Sequence, residues 1–353
     1  MFPYILVLGV LVLFSVFEIC NYDKNGKNAR WMFALILLFL FSGLRCGVGK
    51  DFPAYEELYN GSLFGLHPEI KELGWAFFFH LFRSLNMPFQ TVILIISFLT
   101  IYCVAIFIRR YSPYPFFSLL IFFCFAQYYT YTFNVMRQCM ASYIFFASLE
   151  HIENRNFIKY FLNIGCSIFF IHFSAIICLP LYFILRRSYP LSVKLGLLVI
   201  ILYVAQFFIL IVASLDAYKI YLNFEQFASE ITITTYMLML LSTGLLILDK
   251  FLGETYKTVT YNILQNINYV ALVFLSITCF FAETPLTLVF LRFACFYTPI
   301  LIVLIPKFIK YFFSLNSQRI VIACISMAYI AIFFHTLHSG GEVNKLLPYK
   351  SIL

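Results

Sequence analysis

Asn134-Val135-Met136-Arg137-Gln138-Cys139-Met140-Ala141-Ser142 is the stretch on which the reading of this chain turns. It sets an arginine between two apolar runs, Pro115–Phe133 and Met140–Leu149. A guanidinium stays ionised at any accessible pH. At a membrane boundary that charge is costly unless it meets an anion, a polar cavity or the interface. Asn134 and Gln138 stand beside it, and a polar group on either side reads as the lining of a pocket. The blander reading is an arginine that snorkels to the interface or caps a helix C-terminus.

Composition sets the frame for that charge. The 353 residues are 63% hydrophobic and 11% charged. Soluble domains carry roughly 25% charged residues, so the chain is expected to be an all-α polytopic membrane protein. Repeated apolar runs of about 17–25 residues agree. The net charge of +8 is dispersed over short loops with no long basic run, so nucleic acid is not an expected partner. The ten cysteines form no Cys-x-x-Cys pair, and Cys103, Cys124, Cys166, Cys178 and Cys279 fall inside apolar runs. They read as small buried hydrophobes, not as a disulfide framework or metal site. His335 and His338 lack a third ligand, and no metal or cofactor is expected. The first apolar run starts at Phe2 with no basic residue before it, and is expected to stay as a span rather than be cleaved.

About 12 spans are expected: Phe2–Ile19, Trp31–Leu44, Phe89–Ile108, Pro115–Phe133, Arg137–Leu149, Tyr160–Ile171, Phe173–Leu185, Leu191–Ala213, Ile231–Leu248, Tyr261–Phe281, Leu286–Ile305 and Ile320–Phe334. They make a single membrane domain over residues 1–353. Residues 45–86 form an outer loop, polar over Arg45–Glu72, with a short interfacial helix at Gly74–Leu85. Alternate loops carry Lys24/Lys27/Arg30, Arg109/Arg110, Arg155/Lys159, Arg186/Arg187/Lys194, Lys250/Lys257 and Lys307/Lys310/Arg319. The positive-inside rule makes those loops cytoplasmic and puts the N-terminus outside. Arg45, Asp51, Arg137, His172, Glu283 and Arg292 then fall at or near the outer face.

Several of these residue types suit chemistry on an anion. Arg137 can hold a phosphate by paired hydrogen bonds. Arg292 lies inside the run after Leu286, crowded by Phe293, Phe296 and Tyr297 on one helix, and is the second candidate. Arg45 stands between Gly43 and Gly47-Val48-Gly49, where glycines let backbone N–H groups approach an anion. The loop has no Gly-Lys-Ser/Thr ending and is not a nucleotide loop. His172 sits between two closely coupled short spans and suits general-base work near neutrality. Asp51, Glu72 and Glu283 are the alternative bases.

Gly43-Leu44-Arg45-Cys46-Gly47-Val48-Gly49-Lys50-Asp51 followed by Tyr55 resembles the first outer loop of the EpsG family of polysaccharide polymerases, relatives of the Wzy O-antigen polymerases. Glu72-Leu73-Gly74-Trp75 is similar to that family's acidic-then-Gly-aromatic element. Asn134–Ala141 resembles its Arg-Gln element, His172-Phe173-Ser174-Ala175 its His-x-Ser-Ala element, and Leu347-Pro348-Tyr349-Lys350 its Pro-Tyr ending. The elements occur in the family's order across nearly the whole chain. Cys46 after Arg45 and Lys50 before Asp51 depart from the pattern.

The resemblance implies a GT-C-like, multi-spanning glycosyltransferase of the bacterial inner membrane. It implies transfer of a growing glycan from undecaprenyl pyrophosphate to the non-reducing sugar of the next lipid-linked repeat unit, outside the plasma membrane. Arg137 and Arg292 would hold the pyrophosphate, with Asn134, Gln138 and Tyr297 beside them. Arg45 would assist or hold the acceptor's pyrophosphate, and His172 or Asp51 would take the proton. Lipid-linked oligosaccharide and membrane lipids are the implied partners, and a chain-length regulator protein is usual for the family. An O-antigen ligase ranks lower because ligases carry a larger outer loop. A flippase ranks lower because the arginines are skewed to one face and no repeat is visible.

Overall fold

The computed structural model describes residues 1–20, 26–61, 73–207, 231–253, 256–284, 286–341 and 345–352. These residues form helices and turns; among them the β-type pairing is an isolated antiparallel bridge between Arg45 and Ser351. The chain divides into two compact units, Met1–Tyr182 with Ile305–Leu353, and Phe183–Leu304.

The first unit begins with α1 (Phe2–Ile19), α2 (Lys27–Gly43), α3 (Phe52–Gly61), α4 (Leu73–Ser84) and α5 (Phe89–Tyr111). It continues through α6 (Pro115–Cys124), α7 (Tyr131–Asn134), α8 (Met136–Ala147), α9 (Leu149–Glu153) and α10 (Phe157–Phe170). A 3-10 turn over Phe173–Cys178 and the short α11 (Leu181–Ile184) lead into the second unit. There lie α12 (Leu191–Ala205), α13 (Ile233–Leu248), α14 (Val259–Phe280) and α15 (Leu286–Tyr297). The chain returns to the first unit through α16 (Leu301–Phe312) and closes with α17 (Leu315–Gly340).

Among the described residues six helices are long and apolar enough to cross a membrane: Phe2–Ile19, Phe89–Tyr111, Ile233–Phe251, Val259–Phe280, Leu286–Phe312 and Leu315–Gly340. The protein is a multi-pass membrane protein. Each of the six matches an expected span. The remaining expected spans are shorter or interrupted. The run Pro115–Phe133 does not form one helix, because α6 stops after 10 residues and Phe125 turns extended. Ten residues rise only about 15 Å, half of a hydrocarbon core. Beyond Phe125, Thr130 Oγ1 donates to the Ala126 carbonyl at 2.9 Å and Thr132 Oγ1 to that of Tyr129 at 2.6 Å. Hydroxyls that bond local carbonyls in this way compete with a continuing helix. In the run Phe173–Leu185, Pro180 lacks the N–H that would join the 3-10 turn to α11. The expected span Leu191–Ala213 holds α12, and its residues past 207 lie outside the described ones. The polar stretch after Arg45 contains a helix, α3, that its composition did not announce; His67 and Glu72 lie outside the described residues.

In the first unit α5 is the central strut. Its buried residues Val92, Ile96, Thr100, Val104 and Ile108 recur every fourth position, and neighbouring Ile93, Ile101 and Phe107 widen the stripe. It packs on α2 and α8, while α6 packs on α1 and α17. The N-terminus of α6 is capped from α1: Glu18 Oε2 accepts from the Phe116 and Phe117 N–H groups at 2.9 and 3.2 Å. A carboxylate there also complements the helix dipole. In the second unit α14 is the centre, with α12, α13 and α15 against it. Asn268 Nδ2 donates to the Ser242 carbonyl at 3.0 Å and ties α14 to α13.

The two helices of the 45–86 segment are tied down by aromatic packing. Phe52, Tyr59, Trp75, Phe79, Phe89, Met136 and Met140 form one buried cluster joining α3, α4, α5 and α8. Gly74 allows α4 to lie on α10: a Cβ there would fall 2.5 Å from Phe170 Cδ1 and 2.7 Å from the Phe169 carbonyl oxygen. Part of that obstruction is backbone, so the helices would have to separate. Gly74→Ala is expected to cost about 1–3 kcal/mol and to lower the melting temperature of the purified protein. Gly165→Ala, where an added Cβ meets nothing within 4 Å, is the control and should leave it unchanged or raise it.

Candidate functional site

The loop between α2 and α3 is held from both sides. The C-terminal segment 345–352 runs across it: Cys46 N–H donates to the Lys350 carbonyl at 3.0 Å, Gly49 N–H to Lys345 at 2.9 Å, and Ile352 N–H to Leu44 at 3.0 Å. Tyr349 stacks on Phe41 at 4.4 Å between ring centroids, and its hydroxyl donates to the Phe41 carbonyl at 2.6 Å. On the other side, Gly49 has φ +110° and sits so close to the α7–α8 junction that a Cβ would lie 2.5 Å from the Phe133 carbonyl oxygen. Only glycine suits that conformation and that gap. The next N–H, from Lys50, donates to Asn134 Oδ1 at 2.6 Å. Asn134 therefore spends its side-chain oxygen on positioning the loop.

Arg45, expected beside a pyrophosphate, lies instead inside the first unit at 2% exposure. Its guanidinium stands 4.5 Å from the Phe133 ring centroid. Nη1 donates to the Ser42 carbonyl and to Ser97 Oγ at 3.3 Å. Gln90 Nε2 donates to the carbonyls of Gly43 and Arg45 at 2.6 and 3.2 Å. Arg45 thus fastens the loop to α2, α5 and α7. Its charge is buried among aromatic faces and carbonyls, which suits a cation–π site rather than one open to a ligand.

Arg137 has the opposite character. It occupies the first turn of α8, just after a break at Val135 (φ −91°, ψ 53°), and is half-buried. Its Cζ lies 5.8 Å from the ring centroid of Tyr55 on α3 and 5.6 Å from that of Trp75 on α4. The Tyr55 hydroxyl is hydrogen-bonded to Arg137, and Asp51 acts on the same hydroxyl electrostatically. Burial raises the Tyr55 pKa, Arg137 pulls it back and Asp51 adds to the rise, so the phenol stays neutral. Trp75 Nε1 is buried and has no hydrogen-bond partner among the described residues. The Arg137 guanidinium, the Tyr55 phenol and the Trp75 ring thus converge from α8, α3 and α4, with Asp51 of the loop in electrostatic range of the phenol. Gln138, next to Arg137, is 4% exposed and faces the protein interior.

His172 caps the 3-10 turn that follows α10. Its Nδ1 accepts from the Ser174 N–H at 3.1 Å and stands 2.7 Å from Ser174 Oγ. An acceptor Nδ1 places the proton of the neutral ring on Nε2. In this arrangement His172 offers a donor at Nε2, whereas a general base needs a free ring lone pair. Ile171 before it packs on the aromatic cluster that includes Trp75 and Met136.

Arg292 and Tyr297 belong to the second unit. Arg292 is exposed on α15. Tyr297 is 1% exposed and stacks on Phe274 of α14 with ring centroids 5.8 Å apart, a packing role within its unit. Glu283 lies in the turn between α14 and α15 at φ +62°. Tyr55 and Trp75 were absent from the expected site. Their signal was their place in the loop and Gly-aromatic elements, which named them as motif members without a role.

No curated protein and no solved structure matches the chain. The family model of the EpsG family matches residues 28–351, which takes in every element from the Arg45 loop to the Pro-Tyr ending, and the chain belongs to that family.

Proposed function

We propose that this protein is a metal-independent polysaccharide polymerase of the bacterial inner membrane, working on its periplasmic or outer face. The donor is a growing glycan on undecaprenyl pyrophosphate, and the acceptor is the non-reducing sugar of a lipid-linked repeat unit. The acceptor hydroxyl oxygen attacks the anomeric carbon and a glycosidic bond forms. The anomeric carbon–phosphate oxygen bond breaks, and the lipid pyrophosphate leaves with the electron pair. The hydroxyl proton passes to a base. The reading carries with it a GT-C-like architecture of about 12 crossings, interrupted helices included. A chain-length regulator is the protein partner it implies.

The observation that carries it is the half-buried Arg137, held against the faces of Tyr55 and Trp75, with Asp51 acting electrostatically on the Tyr55 hydroxyl that Arg137 bonds. The leaving group is an oxyanion at a membrane surface. A fixed guanidinium beside it stabilises the charge that develops in the transition state. The positive end of the α8 dipole lies at the same place and adds to the attraction. Trp75 is buried and lends its ring face to hold Arg137 in place. Asp51 is the better base of the two candidates, since His172 spends Nδ1 on Ser174. His172 is then a donor to substrate through Nε2. Arg45, Asn134 and Gln138 act as positioning residues.

Arg137→Ala is expected to abolish polymer in a null strain while the protein remains in the membrane at normal abundance. Arg137→Lys keeps the charge but loses the planar fork, and should cost about 10–100-fold in polymer yield. The readout is the ladder of chain lengths on a gel beside an immunoblot of membranes; a normal ladder from Arg137→Ala overturns the assignment. Asp51→Asn removes the base and should match Arg137→Ala in severity. His172→Asn keeps a short side-chain acceptor for the Ser174 N–H and should retain more polymer than Asp51→Asn. The reverse order would make His172 the base.

A further inference from the structure

The second unit holds a polar cavity of about 500 Å³ between the start of α12, the end of α13 and the first turns of α14. That volume falls in the ~300–1,000 Å³ range of small-ligand sites. Three lysines line it, Lys194, Lys250 and Lys257, against one carboxylate, Asp249. The carboxylate is already engaged: Tyr261 hydroxyl donates to Asp249 Oδ1 at 2.6 Å, and Gln265 Nε2 donates to the Tyr261 oxygen at 2.9 Å. Asp249 keeps its charge and acts on Lys194 electrostatically, which leaves one carboxylate against three ammonium groups in the lining. Lys194 is the unusual member. It sits in the first turns of α12, 5% exposed, and among the described residues no carboxylate lies within ion-pair distance of it. A buried ammonium normally has an anionic partner. The cavity wall also includes Leu191 and Ser192, the first residues of the 15-residue α12, whose N-terminal N–H groups and dipole favour an anion. Ser188 and Ser192 add hydroxyl donors.

We propose that this cavity is a phosphate-binding site, in which Lys194, Lys250 and Lys257 hold a phosphate mono- or diester whose oxygens also accept from the start of α12. Lysines serve phosphate as point charges rather than as a bidentate fork, which suits a tetrahedral group of variable ester. The site shares no residue with the Arg137 cluster and does not rest on the polymerase reading. A soluble phosphate ester and the headgroup of an anionic lipid both present this group, and the two arms of the test distinguish them.

The test uses the full chain in phosphatidylcholine nanodiscs, in the Arg137→Ala background so that binding at the other cluster does not contribute. Inorganic phosphate is titrated against chloride at matched ionic strength, and melting temperature and affinity are read. Saturable stabilisation by phosphate is expected, weakened about tenfold by Lys194→Gln and preserved by Lys194→Arg. Should Lys194→Gln not fold, Lys250→Gln, at an exposed position, carries the same expectation. A second arm replaces part of the phosphatidylcholine with phosphatidylglycerol. Stabilisation by that lipid alone, lost in the glutamine variants, supports the site with a lipid headgroup as its occupant. The proposal fails if neither phosphate nor phosphatidylglycerol stabilises beyond chloride, or if the glutamine variants respond as the parent does.

Discussion

Arg45 is a buried charge, and the geometry of the first unit follows from how it is satisfied. Its guanidinium needs acceptors and π-faces, and these come from α2, α5 and α7 at once. The loop that carries it is thereby fixed against three helices. The C-terminal segment completes the arrangement by adding backbone hydrogen bonds to Cys46 and Gly49. Removing one partner of such a buried charge leaves the full desolvation penalty exposed. Loop, tail and α5 are consequently a single mechanical element.

The consequence reaches Arg137 through Gly49 and Lys50. Gly49 lies against Phe133 and Lys50 bonds Asn134, so the loop is pinned to the turn just before α8. Asp51 and Tyr55 follow within a few residues and are delivered to the first turn of α8, where Arg137 begins. Trp75 reaches the same place from α4, which Gly74 brings close to α10. Precise placement of a few groups on packed elements is what an electrostatic site needs, because donors that must reorganise during reaction lose their advantage. The two arginines have divided the work: one is buried and fixes geometry, the other is half-buried beside the groups that would meet a ligand.

That division was not legible in the sequence. Arg45 and Arg137 both read as expensive cations beside glycine or polar neighbours, and residue type cannot tell an arginine that faces a ligand from one that faces Phe133. The deciding partners of the Arg45 loop are Lys345 and Lys350, about 300 positions away. The Pro-Tyr ending was recognisable as a motif, but its use as a strap over that loop depends on long-range pairing. Six spans were legible because sustained apolarity over a long helix has no other outlet. The interrupted ones were not, since hydropathy averages over Phe125 and Pro180 while backbone geometry does not. The His-x-Ser-Ala element was likewise visible, yet its spacing concealed that Ser174 takes the His172 Nδ1 lone pair.

The break at Val135 explains why the charge is tolerated where it stands. A continuous helix through Pro115–Leu149 would carry Arg137 along an apolar face with only its own reach to escape. The interruption instead begins a new helix one residue before Arg137, so the guanidinium and the positive end of the α8 dipole coincide. The aromatic faces of Tyr55 and Trp75 offset part of the cost of that coincidence, each at roughly 0.5–2 kcal/mol, and the Tyr55 hydroxyl adds a hydrogen bond to the guanidinium. On the proposed polymerase reading, an anion of high charge density such as a pyrophosphate gains more from this placement than a neutral sugar does, and gains most as the leaving oxygen takes up charge.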